Sequence, residues 1–392
     1  MVSKRVTRTL TIVVVIFLLI SVTAAGFYFG FSYVLAQNSR FDQLESAFDA
    51  TGSSPINEAT PGAVEIIIPR ASDTKDIAEI LEKNGMIGNP LMFTILSKFN
   101  GFDGSYIAGT HYLVEDLSYD EIMFILTRRP QPVQVTFPEG ISYREVKQKL
   151  RQAGVKFDEK VLDNMMRRPN LFIDYDFVKQ IKPSADRDWM LQGYLFPDTY
   201  FFDVNSDEET IIRTFLNNTE KKLTQEIFDR AALMDMSIDE AVTLASLIQA
   251  EAMNVTEMAD IGGVFHNRLK AEQSLSSDTT INYLRQENGL APVLWLSLSE
   301  IEMFKDNAYS THANLGLPPG PINSPGIAAI EAALWPANNK YLFFSATGED
   351  GKTLFAITFE EHEANLQNYL NRLENEENQE DQSEAGAETS EP

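Results

Sequence analysis

The chain repeats a pattern of a short apolar strand, a turn and a helix with one apolar face. Two copies are IIIPRASDTKDIAEIL (66 to 81) and VTFPEGISYREVKQKL (135 to 150), and YLVEDLSYDEIMFIL (112 to 126) fits the same frame. Each copy carries an acid seven positions after the residue at its turn. The acids are Asp76 after Pro69, Glu121 after Val114, and Glu145 after Pro138. The copies are unequally spaced, which argues against a solenoid of fixed period and predicts small β-α units packed into compact modules.

A second pattern, LASLIQAEAMN (244 to 254), has helical spacing. Positions i, i+3, i+4 and i+7 share one helical face, and here they are Leu244, Leu247, Ile248 and Glu251. An acid on this apolar face has two explanations. Either the helix lies at a rim and turns Glu251 toward water or a basic partner, or burial favours the neutral carboxyl and makes it a proton donor near neutral pH.

The N-terminal region is apolar over a long run. No charged residue occurs between Arg8 and Arg40, and a helix of this length can cross a bilayer core of about 30 Å. We expect a cytoplasmic stub at residues 1–9 and a transmembrane helix at residues 10–36. Basic residues precede the run and acids follow it, which predicts a single-pass membrane protein with its N-terminus in the cytoplasm and its folded part outside. A cleavable signal peptide is the alternative, although the run exceeds the usual signal core of roughly 7 to 15 residues.

The remaining chain divides by composition, and the predicted fold class is α+β. Residues 37–62 end in a stretch rich in Gly, Pro and Ser and predict a linker. The β-α units fall in residues 63–130 and in a second segment, 131–185. Longer helices follow in residues 186–372, where Ser237 and Glu240 predict a capping box at the start of the central helix. Residues 373–392 are dense in Glu and predict a disordered acidic tail.

Composition excludes several functions. The net charge of −25 argues against a nucleic-acid partner, because phosphate binding needs clustered Lys and Arg. The chain has no cysteine and therefore no disulfide or Cys ligand, and its four histidines are scattered. We expect no metal and no cofactor, which leaves carboxylate chemistry, in which one Glu with a raised pKa can act as general acid and then as general base.

Five motifs in order give the chain a specific resemblance: GYLFPDTY (193 to 200), LASLIQAE (244 to 251), FHNRL (265 to 269), AYSTH (308 to 312) and GLPPGPINSPG (316 to 326). The set resembles the endolytic murein transglycosylases of the MltG type, the YceG-like family. The resemblance covers nearly the whole exported chain. It implies a LysM-like module at residues 63–130 and a mixed α+β catalytic domain at residues 186–372.

The resemblance also implies an activity, which is cleavage of the β-1,4 bond between N-acetylmuramic acid and N-acetylglucosamine inside nascent peptidoglycan strands. The products would carry 1,6-anhydro ends, and glycan length would be limited. Glu251 matches the catalytic acid. The implied substrate-binding positions are Asn267, Arg268, Asp278, Tyr309, Thr311, Pro318, Pro319 and Gly320. The implied partners are peptidoglycan strands, the plasma membrane through the N-terminal helix, and peptidoglycan synthases with elongation or division proteins.

The chain departs from the family pattern at several positions. Gln249 stands where the family usually has Glu, Ser276 where it has Gln, Thr279 where it has Pro, and Ser310 where it has Asn. The substitutions at positions 249, 276 and 310 are the best support for an alternative, a membrane-anchored peptidoglycan-binding scaffold with weakened catalysis, and the retained Glu251 argues against it. A muramidase-type hydrolase is a further alternative, because Asp278 could supply the second carboxylate that hydrolases place roughly 5 to 9 Å from the acid.

Overall fold

The structure is a computed structural model, and it describes residues 13–30, 56–57, 59–69, 71–128, 132–345 and 352–372. The predicted cytoplasmic stub, most of the predicted linker and the predicted acidic tail lie outside the described residues. The chain forms two compact units: Met1–Val133 with Asp203–Asn205, and Gln134–Phe202 with Ser206–Pro392. We call them unit 1 and unit 2.

The first helix, α1 (Val13–Gly30), lies within the predicted transmembrane range. Its 18 residues have a mean hydropathy of 2.3, and its side chains are exposed. The helix is therefore long and apolar enough to cross a membrane, a property that an N-terminal signal sequence shares.

The folded part of unit 1 is built around one two-stranded antiparallel sheet. Its elements are β1 (Val64–Ile68), α2 (Thr74–Lys83), α3 (Pro90–Phe99), β2 (Gly109–Leu113) and α4 (Tyr119–Leu126). Strand β1 pairs with β2, with Val64 opposite Leu113. Apolar side chains from this sheet and from all three helices share one core, in which Ile66, Leu81 and Phe93 are fully buried. Helix α3 was not predicted from the sequence.

Unit 2 contains β3 (Val133–Thr136), which begins at the boundary, and most of the helices. The further elements are α5 (Tyr143–Gln152), α6 (Glu159–Met166), β4 (Thr199–Phe202), α7 (Glu208–Lys222), α8 (Gln225–Leu233), α9 (Ile238–Glu251), α10 (Met258–Lys270), α11 (Asp278–Glu287), α12 (Leu298–Met303), α13 (Ile327–Leu334), β5 (Phe343–Ser345), β6 (Leu354–Ala356) and α14 (residues 359–372). The three strand pairs of the described residues are β1 with β2, β3 with β4, and β5 with β6. The mixed α+β class predicted from the sequence is confirmed.

The acid that recurs in the three β-α copies has one structural role. In α2, α4 and α5 it is the third helical residue, and its carboxylate accepts a hydrogen bond from the backbone N–H of the capping residue. The capping side chain accepts in return from the backbone N–H of the acid, which closes a capping box. The repeat therefore encodes three helix starts.

The division predicted at residue 185 does not coincide with a boundary between units. Strand β3, which precedes it, pairs with β4, which follows it. Phe137 packs its ring against Phe215 at 4.9 Å and against Tyr200 at 5.9 Å between centroids. Residues on both sides of position 185 therefore share one core.

Helix α9 runs through the centre of unit 2 and packs against α13 and α10. Ser237 and Glu240 form the predicted capping box at its start, and Leu244, Leu247 and Ile248 are fully buried. Helix α10 packs closely against α13, since a Cβ on Gly262 of α10 would lie 2.5 Å from the carbonyl oxygen of Ala332 in α13. Only glycine fits at this contact.

A buried ion pair fixes the first turn of α9. Arg187 Nη1 donates to both carboxylate oxygens of Asp239, at 3.0 and 2.8 Å, and its Nη2 donates to the Met190 carbonyl oxygen at 2.8 Å. The Tyr194 hydroxyl donates to Asp239 Oδ1 at 2.8 Å. The Arg187 side chain is fully buried. The pair therefore links the loop before β4 to the start of the helix that carries Glu251.

Candidate active site

Glu251 is the last residue of α9, and its side chain is partly exposed. Ser277 Oγ donates to Glu251 Oε1 at 2.5 Å, and Thr279 Oγ1 donates to the same oxygen at 3.4 Å. The two hydroxyl oxygens lie 2.6 Å apart. Within the described residues Oε2 accepts no hydrogen bond, so this oxygen is the one that can face a ligand.

The surroundings of Glu251 favour its protonated form. Burial raises the pKa of Glu251 above its ordinary value, and the negative charge of Asp278 raises it further. The hydrogen bonds from Ser277 and Thr279 and the positive charge of Arg268 oppose these effects without cancelling them. The carboxyl group therefore keeps its proton to a higher pH than a free Glu side chain, as a general acid requires.

Ser277 is itself held in place by two buried threonines, Thr280 in the first turn of α11 and Thr311 in a later loop. Its backbone N–H donates to Thr311 Oγ1 at 3.0 Å, and its carbonyl oxygen accepts from Thr280 Oγ1 at 2.8 Å. The N–H of Ser276 donates to the Thr311 carbonyl oxygen at 3.0 Å. Thr311 is 1% exposed, so it acts by positioning Ser277.

Asp278 lies at the first position of α11 and pairs with a histidine. Its Oδ1 lies 3.0 Å from His312 Nε2, and about half of its side chain is exposed. The carboxylate is near enough to Glu251 for its charge to raise the pKa of that group. Asp278 therefore belongs to the site through its charge.

Arg268 lies beside the carboxyl group and is held by two carbonyl oxygens. Its Nε donates to Leu342 O at 2.6 Å, and its Nη1 donates to Leu275 O. Burial lowers the pKa of Arg268, and the charge of Glu251 partly restores it. The guanidinium therefore remains a cation whose field favours the ionised form of Glu251.

Known proteins share this architecture. Residues 66–368 match the YceG-like family. The chain belongs to the YceG-like family. The family membership predicted from the five motifs is thereby confirmed.

Two named proteins are similar to this chain over most of its length. A Bacillus subtilis protein named "Endolytic murein transglycosylase" is 31% identical over 330 residues, which are 81% of this chain and 88% of that protein. A Streptococcus pneumoniae protein of the same name, from serotype 2 strain D39, is 28% identical over 373 residues, which are 90% of this chain. The match spans 64% of the Streptococcus protein, so that relative is considerably longer.

A solved structure is also similar. The crystal structure of a yceG-like protein from Listeria monocytogenes has a TM-score of 0.52 and 26% sequence identity. The match covers 78% of this chain and 99% of that chain.

Other residues that the family resemblance implies at the site have structural partners. Asn267 Nδ2 donates to the carbonyl oxygens of Asn339 and Tyr341, at 3.2 and 2.9 Å. The Tyr309 ring is buried against Tyr283, with 5.0 Å between centroids. Their substrate contacts remain predictions, and the structure gives both a role in holding the chain around the site.

The proline turn lies toward the other end of α9. Pro318 and Pro319 line a cavity of about 490 Å³ together with Asp239 and Thr243. Asp239 precedes Glu251 by 12 residues, which is about 18 Å along the helix. Gly320 packs against the Arg187 guanidinium, where a Cβ would lie 2.5 Å from Nε. The structure does not bring these three turn residues to the carboxyl group.

Of the four departures from the YceG-like pattern, Gln249 and Thr279 have roles that their hydrogen bonds explain, and nothing in the structure explains Ser276 or Ser310. Gln249 Oε1 accepts from the N–H of Gly326 at 2.9 Å, so the amide joins α9 to the start of α13. Ser310 is fully buried. Ser276 has a φ of 43°, a conformation that non-glycine residues rarely adopt. Thr279 donates to Glu251 and thus takes part in the site.

Ser277 and Thr279 are the site residues that the sequence analysis missed. The hydroxyl-rich segment SLSSDTT (274 to 280) was the available signal. Its pairing with Glu251 depends on how the start of α11 packs against the end of α9. No group of three or more His, Cys, Asp or Glu residues in the described parts of the chain could hold a metal ion.

Proposed function

We propose that this protein is a membrane-anchored lytic transglycosylase acting on peptidoglycan. It cleaves the β-1,4 bond between N-acetylmuramic acid and N-acetylglucosamine inside nascent strands and leaves 1,6-anhydro-N-acetylmuramic acid ends. The observation that carries the proposal is the carboxyl group of Glu251, whose pKa burial raises and whose Oε2 is available to a ligand. The names of the relatives support the choice of substrate.

In the first step, protonated Glu251 donates its proton to the oxygen of the glycosidic bond as that bond breaks. Positive charge develops at C1 of the muramyl residue. The newly formed Glu251 carboxylate is stabilised by the Ser277 and Thr279 hydroxyl groups, both bonded to Oε1. These bonds also fix the carboxyl orientation, so Oε2 carries the proton in transit.

In the second step, the Glu251 carboxylate removes the proton from the muramyl 6-hydroxyl as that oxygen bonds to C1. The Glu251 carboxyl is thereby returned to its protonated form and the 1,6-anhydro ring closes. No water is consumed, so the reaction needs no second carboxylate. Asp278 contributes by raising the pKa of Glu251, which keeps the carboxyl group protonated between turnovers.

The anchor and the module before unit 2 complete the proposal. We infer that α1 spans the plasma membrane with the N-terminus in the cytoplasm, since its length and hydropathy fit a bilayer core and basic residues precede it. The β1-α2-α3-β2 arrangement supports a LysM-like glycan-binding module. An enzyme held in this way cuts strands close to the membrane, where it limits their length alongside peptidoglycan synthases and elongation or division proteins.

The test is mass analysis of products from uncrosslinked glycan strands. The wild-type chain is compared with Glu251→Gln, after both are shown by circular dichroism to be folded. We expect anhydro-ended fragments, one water lighter than reducing ends, with the wild type only. Loss of a general acid costs roughly 10²- to 10⁴-fold in rate. Anhydro ends at an unchanged rate with Glu251→Gln would overturn the role of this residue.

The same experiment separates the alternatives. Hydrolysis with Asp278 as second carboxylate is favoured by the charge interaction between Asp278 and Glu251, and it predicts reducing ends. The hydrogen bond between Asp278 and His312 disfavours hydrolysis, because it competes with activation of a water molecule by the Asp278 carboxylate. A scaffold would bind strands and leave them intact with both proteins.

A further inference from the structure

Helix α3 of unit 1 presents an apolar face to solvent. Its large exposed side chains are Leu91, Met92, Ile95 and Phe99, with 69%, 47%, 53% and 83% of their surface accessible. At about 100° per residue, these four and the exposed Lys98 fall within an arc of about 120°. We call this arc the outer face of α3.

The core of unit 1 does not need the outer face. The opposite side of α3 is packed by Phe93, which is fully buried and contacts the rings of Tyr106 and Tyr119 at 6.0 and 6.2 Å between centroids. Asn89 caps the helix, and Pro90 occupies its first position. The helix is therefore fixed without its outer face, and a contiguous apolar patch of this kind marks an interaction surface.

The short connection between α1 and the folded part of unit 1 keeps the outer face of α3 near any membrane that α1 enters. Only residues 31–55 separate α1 from the first described residue of the folded part of unit 1. Fully extended, 25 residues span at most about 90 Å, so a membrane that holds α1 stays within reach of α3 at high effective concentration. A bilayer is thus the apolar phase that is always present.

The charge and shape of the outer face fit a lipid surface. Its one charged residue is Lys98, in a chain whose net charge is −25. A lysine beside Leu, Ile and Phe is typical of helices that lie in the interface of anionic bilayers. Leu91 and Phe99 stand about 12 Å apart along the helix axis, so the face can engage the membrane lengthwise.

We propose that the outer face of α3 lies in the headgroup boundary of the membrane that α1 enters. This inference rests on the membrane-anchor part of the proposed function. Contact with the lipid orients unit 1 relative to the bilayer, so its glycan-binding surface is presented at a fixed height. The contact area is small and the contact is reversible, because a single helix of 10 residues makes it.

The test uses the full chain, which contains no cysteine and therefore accepts a single reporter thiol. The protein with Ile95→Cys, labelled with an environment-sensitive fluorophore, is reconstituted into phosphatidylglycerol and phosphatidylethanolamine vesicles containing headgroup-region quencher lipids. The matched control is Lys75→Cys, an exposed position on α2 of the same unit. We expect several-fold stronger quenching at position 95 than at position 75. Added Leu91→Ser and Phe99→Ser should together weaken the membrane contact by roughly a hundredfold or more, since burial of each side chain is worth about one decade or more.

The outcomes separate this inference from the proposed function. Co-flotation of the chain with vesicles reports the α1 anchor, and the α3 inference is judged on protein that floats. If the fluorophore at position 95 emits as it does in water while the protein floats with the vesicles, the α3 inference is overturned and the α1 anchor is retained. A shifted emission that lipid quenchers do not affect indicates contact with protein, such as a second copy, and also overturns it.

Discussion

The buried ion pair between Arg187 and Asp239 makes a quantitative prediction about stability. In Asp239→Asn the side-chain shape is kept and the charge is removed, which leaves a fully buried guanidinium without its counter-ion. Breaking one partner of a buried pair costs about 3 to 5 kcal/mol. Since domains of this kind are stable by about 5 to 15 kcal/mol, we expect unit 2 to lose between about a fifth and all of its free energy of unfolding.

The assay is urea denaturation of the detergent-solubilised chain, followed by far-ultraviolet circular dichroism. A neighbouring pair supplies the control, because Lys182 and Glu240 lie 3.2 Å apart with 74% and 40% of their side chains exposed. Lys182→Met should cost less than about 1 kcal/mol. A loss below about 1 kcal/mol for Asp239→Asn would refute the reasoning.

A double variant tests the cause of the loss. Arg187→Met combined with Asp239→Leu removes both charges from the apolar surroundings. Replacement of a whole buried pair is often neutral, so we expect the double variant to recover part of the stability lost in Asp239→Asn. A larger loss in the double variant would show that shape, and not charge, fixes the start of α9.

Four further predictions concern the site and the packing around α9. In Ser277→Ala the carboxylate of Glu251 loses a hydrogen bond, so its pKa rises and the fall in kcat/KM with increasing pH moves to higher pH. Asp278→Asn removes a repelling charge, so the pKa falls and the same limb moves to lower pH; shifts of equal sign in these two pH profiles would contradict the electrostatic account. Gly320→Ala should lower the thermal midpoint by several degrees, because its Cβ would lie 2.5 Å from the buried guanidinium. Gln249→Glu keeps an acceptor for the N–H at the start of α13 and should change the unfolding free energy by less than about 1 kcal/mol, as urea denaturation would measure.

The elements that the sequence predicted well are those set by neighbouring residues. The start of α9 follows from Ser237 and Glu240, and its buried face follows from the leucine spacing, because caps and helical periodicity act within a few turns. The recurring acids marked three helix starts for the same reason. Local chemistry thus located the helix that carries Glu251.

The surroundings of Glu251 could not be predicted in this way. Ser277 and Thr279 lie 26 and 28 residues away along the chain and reach the carboxyl group only through packing. Asn267 and Arg268 stand in a motif of the family, yet their bonds to backbone carbonyl oxygens appear only in three dimensions. A single sequence contains no signal that distinguishes a side chain bound to its own backbone from one reserved for a ligand.

The pairing of β3 with β4 affects how this protein can be divided or recombined. A fragment that starts at residue 186 would leave β4 with an unpaired edge and remove the Phe137 ring from the aromatic group that includes Tyr200 and Phe215. A fragment that begins near residue 133 keeps both strands and the aromatic group together, so unit 2 should be separated from unit 1 at that point.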